Sequence, residues 1–250
     1  RGMAKKRILY VSQEIAPFLP ENDLSKTSRF LPQAMNESGI DVRLFMPRFG
    51  CINERRHQLH EVIRLSGMNL IVNDIDQPLI IKVASIPQAR MQVYFIDNEE
   101  YFKRKYTTED KKGTFYQDND ERAIFFCRGV IESVKKLGWS PDVIHCNGWM
   151  ASFLPMYLKK FYHDDPIFEK TKIVVSLYNQ SFEGTLSDDL GDKLKFDGHS
   201  EDDIKGFEKA DYKKLTETAI NYSDAVVKGS TELDEDLLKL IEESKLPTLE

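Results

Sequence analysis

An α/β fold, a mainly parallel sheet flanked by helices with one β-hairpin insertion, is predicted by three features of the 250-residue sequence. Short runs of aliphatic and β-branched residues alternate with amphipathic helical patterns. A strand, a helix and a strand fall within roughly the first 40 residues and define a right-handed βαβ unit. The stretch 60–97 is rich in β-branched residues and is broken by turn pairs, as a hairpin excursion requires.

Taken in order, Ile8–Ser12 is a buried first strand, Leu31–Ser38 a helix closed by Gly39, and Asp41–Met46 a second strand stopped by Pro47. Val62–Val72, Leu79–Ser85 and Met91–Ile96 form the hairpin region and a further strand. Asp118–Glu121 supplies acidic and capping residues to a long helix that ends at Leu137-Gly138. Asp142–His145 and Lys172–Ser176 read as strands, and Ala151–Phe161 as a helix. Residues 183–206 combine several glycines with many acids and read as an exposed loop with short helices. Tyr212–Tyr222 is helical, Ala225–Val227 a last core strand, and Leu233–Glu243 an acidic terminal helix. No repeat or linker divides the chain, so residues 3–248 read as one domain. Arg1-Gly2 ahead of Met3 reads as a vector remnant; Leu249-Glu250 is a tag junction or native sequence.

Composition narrows the function. A formal charge of −6 gives no electrostatic reason to expect nucleic acid or anionic lipid as partners. No apolar run approaches the ~20 residues of a membrane span, and no signal peptide is visible, which points to the cytoplasm. The three cysteines, Cys51, Cys127 and Cys146, lack C-x-x-C spacing, so reduced thiols are expected rather than a disulfide or a zinc site. No metal ligand set is read. The thirteen glycines never form G-x-G, which argues against a dinucleotide-dependent oxidoreductase, and no cofactor is expected.

Of five histidines, His57, His60, His163 and His199 lie in polar stretches and are expected to be exposed. His145 ends a strand, where ligands of open α/β sheets bind. It reads either as a site residue or as a core-edge imidazole bonded to backbone. Trp149, Tyr178 and Asn147 could form a sugar-stacking and hydroxyl-binding wall, with helix–sheet packing as the other reading for Trp149.

A set of motifs then recurs in a recognisable order: Glu14-Ile-Ala-Pro-Phe18, Leu31-Pro32, Gly39–Arg43 with Met46-Pro-Arg48, Val93–Asp97 with Tyr101-Phe102, Asp118–Arg122 with Phe125-Phe126, Gly138-Trp139 through His145 and Trp149, Asn179–Gly184, and Ser223-Asp224 with Ser230. Together they resemble the N-terminal half of bacterial glycogen synthases and plant starch synthases, over nearly the whole chain. The resemblance implies a Rossmann-like domain, the N-terminal half of a GT-B glycosyltransferase. It implies an ADP-glucose:α-1,4-glucan glucosyltransferase of glycogen metabolism, in which a second domain holds most of the donor. This chain stops about where that domain would begin, so the donor-binding domain is read as absent and the isolated chain as inactive. ADP-glucose is then expected only with another domain, and a glucan or oligosaccharide is the expected partner. The alternative is a non-catalytic glucan-binding or synthase-associated regulatory module.

The family's donor-side loop begins A-K-T-G-G-L after A-P-F. Here the twelve residues Leu19–Phe30 keep its length, and place Pro20, Glu21, Asn22 and Asp23 on its lysine, threonine and two glycines. Pro20 removes a backbone donor, Asn22 and Asp23 add side chains where glycine admits the ligand, and the two acids oppose phosphate. At ~4 Å each acid would repel by roughly 1–4 kcal/mol. Lys26-Thr27, a displaced K-T, lies about one and a half turns further on. Asp23 or Ser25 is expected to cap the helix that follows. Elsewhere the family's H-x-H-D-W-H reads His145-Cys-Asn147-Gly148-Trp149-Met150, and its later H-N pair reads Tyr178-Asn179. The resemblance makes His145, Asn147, Trp149, Tyr178 and Asn179 the acceptor-side candidates and assigns no catalytic residue.

Overall fold

The computed structural model describes residues 4–250, so the reading of Arg1 and Gly2 lies outside the described residues. One sheet organises the chain, in the order β10-β9-β8-β7-β1-β2-β6-β5-β3. Its parallel part comprises β1 (Arg7–Ser12), β2 (Asp41–Pro47), β6 (Met91–Asp97), β7 (Val143–Asn147), β8 (Lys172–Leu177), β9 (Ala225–Lys228) and β10 (Thr248–Leu249). The expected hairpin insertion is β4 (Met68–Val72) against β5 (Ile75–Ile86), with β3 (His60–Glu61) added antiparallel to β5. Residues 62–66 form a turn rather than the start of a strand. Ser66 holds that turn by accepting from the Ile81 backbone N–H at 3.0 Å.

Central parallel strands are covered on both faces, so they must be apolar throughout. Leu9, Tyr10 and Val11 of β1, and Leu44, Phe45 and Met46 of β2, are accordingly fully buried. The long helix α3 (Asn119–Leu137) buries Ile124, Phe125, Phe126, Val130, Ile131 and Val134, and packs against α4 (Leu154–Phe161). Gly138 ends α3 in the left-handed region at φ 65°, where a Cβ would be strained. The next residue, Trp139, donates to Asp41 at 3.2 Å and ties the loop to β2.

Several local readings are corrected. The first helix, α1 (Asp23–Glu37), begins eight residues before Leu31, because Asn22 and Ser25 form a capping box. Asn22 Oδ1 accepts from the Ser25 N–H at 2.8 Å, and Ser25 Oγ accepts from the Asn22 N–H at 2.9 Å. The cap is therefore Asn22, not Asp23 or Ser25. Pro32 sits inside α1, where it gives up the bond to the Ser28 carbonyl. Asp118 occupies the cap position of α3 without a capping bond, since Arg104 grips its carboxylate through two donors at 2.5 and 2.6 Å. The helix expected from Ala151 starts instead at Leu154, after a 3-10 turn at Trp149–Ala151. After Ala225–Val227 the chain adds one more strand, in which Leu249 pairs with Val227.

The remaining helices are α2 (Glu99–Phe102), α5 (Leu190–Phe196), α6 (Glu201–Ile204), α7 (Tyr212–Asn221) and α8 (Glu235–Ser244). His199, between α5 and α6, is buried rather than exposed. Its ring is enclosed by Tyr157 and Phe161, whose centroids lie 4.7 and 4.6 Å away. His60 and His163 are exposed and His57 is half-buried against Phe18. Cys127 and Cys146 are buried thiols and Cys51 is an exposed one. No described helix is long and apolar enough to cross a membrane.

Candidate functional site

The chain runs from β1 outward to β2 and β6, then returns to the other side of β1 to build β7, β8 and β9. Outside the carboxyl ends of β1 and β7 this reversal opens the crevice where open α/β sheets bind ligands. Two segments meet there. Gln13 and Glu14 leave β1; Gly148 and Trp149 leave β7. Gln13 donates its backbone N–H to the Asn147 carbonyl at 3.0 Å, and its side chain accepts from the Met150 N–H at 3.0 Å. Gly148 is required at this crossing: its φ is +90°, and a Cβ would stand 2.7 Å from Gln13 Cβ.

Four of the five sequence candidates come together behind this crossing. Asn147 is wholly buried and its amide is fully used. Its Oδ1 accepts from Tyr178 at 3.0 Å and from Tyr10 at 3.3 Å, while Nδ2 donates to the Val11 and His145 carbonyls, both at 3.3 Å. Tyr10 and Ser12 share one face of β1, and both reach Ser28 of α1, at 3.4 and 2.8 Å. A buried polar network thus locks α1 to β1, β7 and β8. His145 Nε2 bonds Ser176 Oγ at 2.5 Å on the neighbouring strand, and burial lowers its pKa to about 4, so the ring is neutral at pH 7. Tyr178 is buried, and burial raises its hydroxyl to about 12. Room for its ring comes from Gly229, where a Cβ would stand 2.5 Å from the ring.

Trp149 is only 6% exposed and packs against Phe115 and Phe182, with centroids 5.6 and 5.0 Å away. The space left among Gly148, Trp149, Tyr178 and Tyr212 is about 20 Å³, room for one water and not for a sugar ring. Asn179 faces outward and is exposed, but its side chain ties the loop before α8. It accepts from the Asp234 N–H at 2.9 Å and donates to the Glu232 carbonyl.

At the β1–α1 corner, two backbone N–H groups of the helix terminus that would meet a phosphate are bonded to the chain's own side chains. The capping box uses the N–H groups of Asn22 and Ser25, and the Ser25 hydroxyl also donates to the Pro20 carbonyl at 2.8 Å. Glu14 accepts from the Asn22 amide at 3.2 Å, and burial raises its pKa. Glu21 and Asp23 stand exposed beside it. Three carboxylates therefore surround a helix N-terminus whose partial positive charge would otherwise attract an anion.

Sequence reasoning missed Tyr10, Ser12, Ser28 and Ser176 as members of this corner. A signal existed: Tyr10 and Ser12 are the polar positions of an otherwise aliphatic strand core, spaced by two. Gly229 carried no signal, because the ring it admits comes from a segment fifty residues away.

Comparison with known proteins agrees with this architecture. A family model described as the starch synthase catalytic domain matches residues 7–246. Glycogen synthase of Chlorobaculum parvum is 35% identical over 227 residues, which span 90% of this chain and 46% of the relative. Glycogen synthase of Chlorobium luteolum is 39% identical over 189 residues, 75% of this chain and 39% of the relative. Among solved structures, the catalytic domain of Starch Synthase IV from Arabidopsis thaliana, bound to ADP and acarbose, superposes with a TM-score of 0.76 at 16% identity. That match covers 98% of this chain and 51% of that one. The chain belongs to the starch synthase catalytic domain family, with the parallel-dominated sheet of a GT-B glycosyltransferase half, and is glycogen/starch synthase-like. It spans less than half the length of these two curated relatives.

Proposed function

We propose that these residues form the acceptor-side half of an ADP-glucose:α-1,4-glucan glucosyltransferase cleft, and that this half binds α-glucan while supplying no contacts to the donor diphosphate. The observation that carries the second part is the β1–α1 corner, where a capping box and three carboxylates stand in place of a cationic, glycine-lined loop. A nucleotide sugar is engaged only through groups outside residues 4–250, and residues 4–250 alone do not turn it over. The Arabidopsis neighbour, bound to ADP and acarbose, supports nucleotide and oligosaccharide as the ligand classes of the family cleft.

His145, Asn147 and Tyr178 act in this reading from behind the binding face, holding β1, β7, β8 and α1 in register. Trp149 packs against Phe115 and Phe182, and Asn179 fixes the loop before α8. A non-catalytic glucan-binding or synthase-associated module is the second reading, favoured by the same corner.

Loop transplantation tests the role of the corner. Chlorobaculum parvum glycogen synthase carrying Leu-Pro-Glu-Asn-Asp-Leu, the sequence of Leu19–Leu24, in its equivalent loop should lose about a hundredfold in glucosyl transfer from ADP-glucose, the loss expected on removing preorganised anion-stabilising groups. Its glucan binding should not change. Transfer at the unmodified enzyme's rate would show that this loop sequence is compatible with donor phosphate.

A further inference from the structure

The far edge of the sheet carries an open pocket of about 330 Å³ that includes none of the acceptor-side candidates. Its residues come from the turn before β3, from β3 and β5, and from the start of β6. In the sheet, β2 and β6 lie between β1 and β5, which sets the pocket apart from the crevice at the carboxyl ends of β1 and β7. β3 pairs with β5 only at Lys82 and Val83, so Ala84 and Ser85 form an edge with no described strand beside them on that side.

Charge is arranged unevenly around this edge. Arg56, His57 and His60 line the pocket, and no carboxylate does. Arg29 of α1 donates to the carbonyl of Pro87, a wall residue, at 3.2 Å and so brings a second guanidinium to the rim. The carboxylates of the neighbouring segments are neutralised or turned away. Lys82 holds Glu54 at 2.6 Å and Asp97 at 2.9 Å, and Arg48 also holds Asp97 at 2.9 Å. Glu61 sits opposite Lys82 in the ladder, on the face away from His60 and Val83. A chain of formal charge −6 therefore carries here a basic pocket without an acid in its lining.

The turn that presents these cations is fixed before any ligand arrives. Asn53 accepts from the Arg56 N–H with its side chain at 2.9 Å, and from the His57 N–H with its carbonyl at 3.1 Å. The Leu59 N–H closes the turn on the Glu54 carbonyl at 2.9 Å. Between them Gln58 takes a left-handed conformation at φ 57°, which a non-glycine residue keeps only where its surroundings enforce it. The His57 ring is backed by Phe18, with centroids 5.0 Å apart. Little ordering is left to be done on binding.

We propose that this pocket binds a small phosphomonoester, with its terminal phosphate on Arg56, His57 and His60 and its organic group along Val83, Ala84 and Pro87. A guanidinium matches two phosphate oxygens at once, and imidazole, hydroxyl and amide groups, here with Ser85 and Gln92, donate to the others. The volume falls within the ~300–1,000 Å³ of small-molecule sites and leaves room for more than the phosphate. ADP-glucose does not suit it, because its two phosphates lie between bulky groups and none is free to enter end-on.

Phenyl phosphate and inorganic phosphate are the probes, each titrated calorimetrically into the wild-type chain and into the Arg56→Gln/His60→Gln double variant. Both side chains are exposed, so folding is retained and the thermal midpoint should not move. Phenyl phosphate should bind the wild-type chain more tightly than inorganic phosphate does, and should lose about tenfold or more in the variant, as expected on removing charge-assisted bonds. Its affinity should also fall as salt is raised. Proton NMR of the wild-type chain needs no variant: phenyl phosphate should shift the imidazole C–H resonances of His57 and His60 and leave those of His163, outside the pocket, in place. No binding, wild-type affinity in the double variant, or unmoved His57 and His60 resonances would overturn the site. Inorganic phosphate binding as tightly as phenyl phosphate would overturn the monoester assignment.

Discussion

Lys193→Met is expected to lower the unfolding free energy by about 3–5 kcal/mol, the usual effect of stripping one partner from a buried ion pair. The Lys193 side chain is 5% exposed and Asp120 is wholly buried. Burial opposes the ammonium, yet Asp120 and Glu121 together raise its pKa. On the other side, burial raises the Asp120 carboxyl and Lys193 pulls it back. Methionine fills a similar volume but leaves a buried carboxylate without its cation. For a chain of this size that loss corresponds to a fall in the melting temperature of roughly 6–20 °C.

The sign of its pH dependence is fixed by burial. Without Lys193, the folded pKa of Asp120 rises further above the ~3.9 of an unfolded chain. A raised carboxyl pKa favours the folded state below the unfolded value and loses that contribution as pH rises through the folded one. The deficit between variant and wild type should therefore shrink as pH falls toward about 4. Asp120→Asn on the Lys193→Met background should restore part of the loss at pH 7. A variant within about 1 kcal/mol of wild type at pH 7 would mean that the pairing of Lys193 with Asp120 and Glu121 contributes little to stability.

Mild acid is the second large effect. His145 and His199 both have pKa values lowered to about 4 by burial, against about 6.5 in the unfolded chain. For His199, Lys160 adds to the lowering and Asp203, 3.9 Å from Nδ1, opposes it. The unfolded chain binds these protons first, so the stabilisation is complete above about pH 6.5 and is lost as pH falls toward about 4. Each histidine contributes up to about 3 kcal/mol, at a slope of up to about 1.4 kcal/mol per pH unit. Denaturant titrations at several pH values measure that slope. His199→Phe should remove one histidine's share, because neither ring nitrogen has a hydrogen-bond partner among the described residues. A variant with the wild-type slope would place the acid sensitivity elsewhere.

The architecture was legible in the sequence because β1, β2, β7 and β8 are apolar runs with clear stops. Their periodicity follows from burial alone. Helix α1 was read eight residues short because its first turns are polar to the eye. Ser25 and Ser28 are buried through hydrogen bonds rather than hydrophobicity, which no periodicity of apolar residues reveals. His199 was misplaced for the same reason: its neighbours in sequence are polar, while Tyr157 and Phe161, which enclose it, lie about forty residues earlier.

Around the candidate site, the sequence grouped residues that lie together in the fold but did not show which way they face. His145, Asn147, Trp149 and Tyr178 do converge, since the ends of β7 and β8 and their following loops converge in any sheet of this order. Whether they face ligand or core depended on Tyr10, Ser28 and Gly229, whose relevance is set by tertiary contact. The loop from Leu19 to Phe30 was more readable, because its change was chemical. By the resemblance, a proline, two acids and an asparagine stand where a lysine, a threonine and two glycines are expected, and in the structure Asn22 joins Ser25 in a capping box.

Parallel calorimetric titrations of this chain with maltoheptaose and with ADP-glucose test the central claim most directly. Heat of binding is expected with the glucan and none with the nucleotide sugar. Saturable ADP-glucose binding without glucan binding would contradict it.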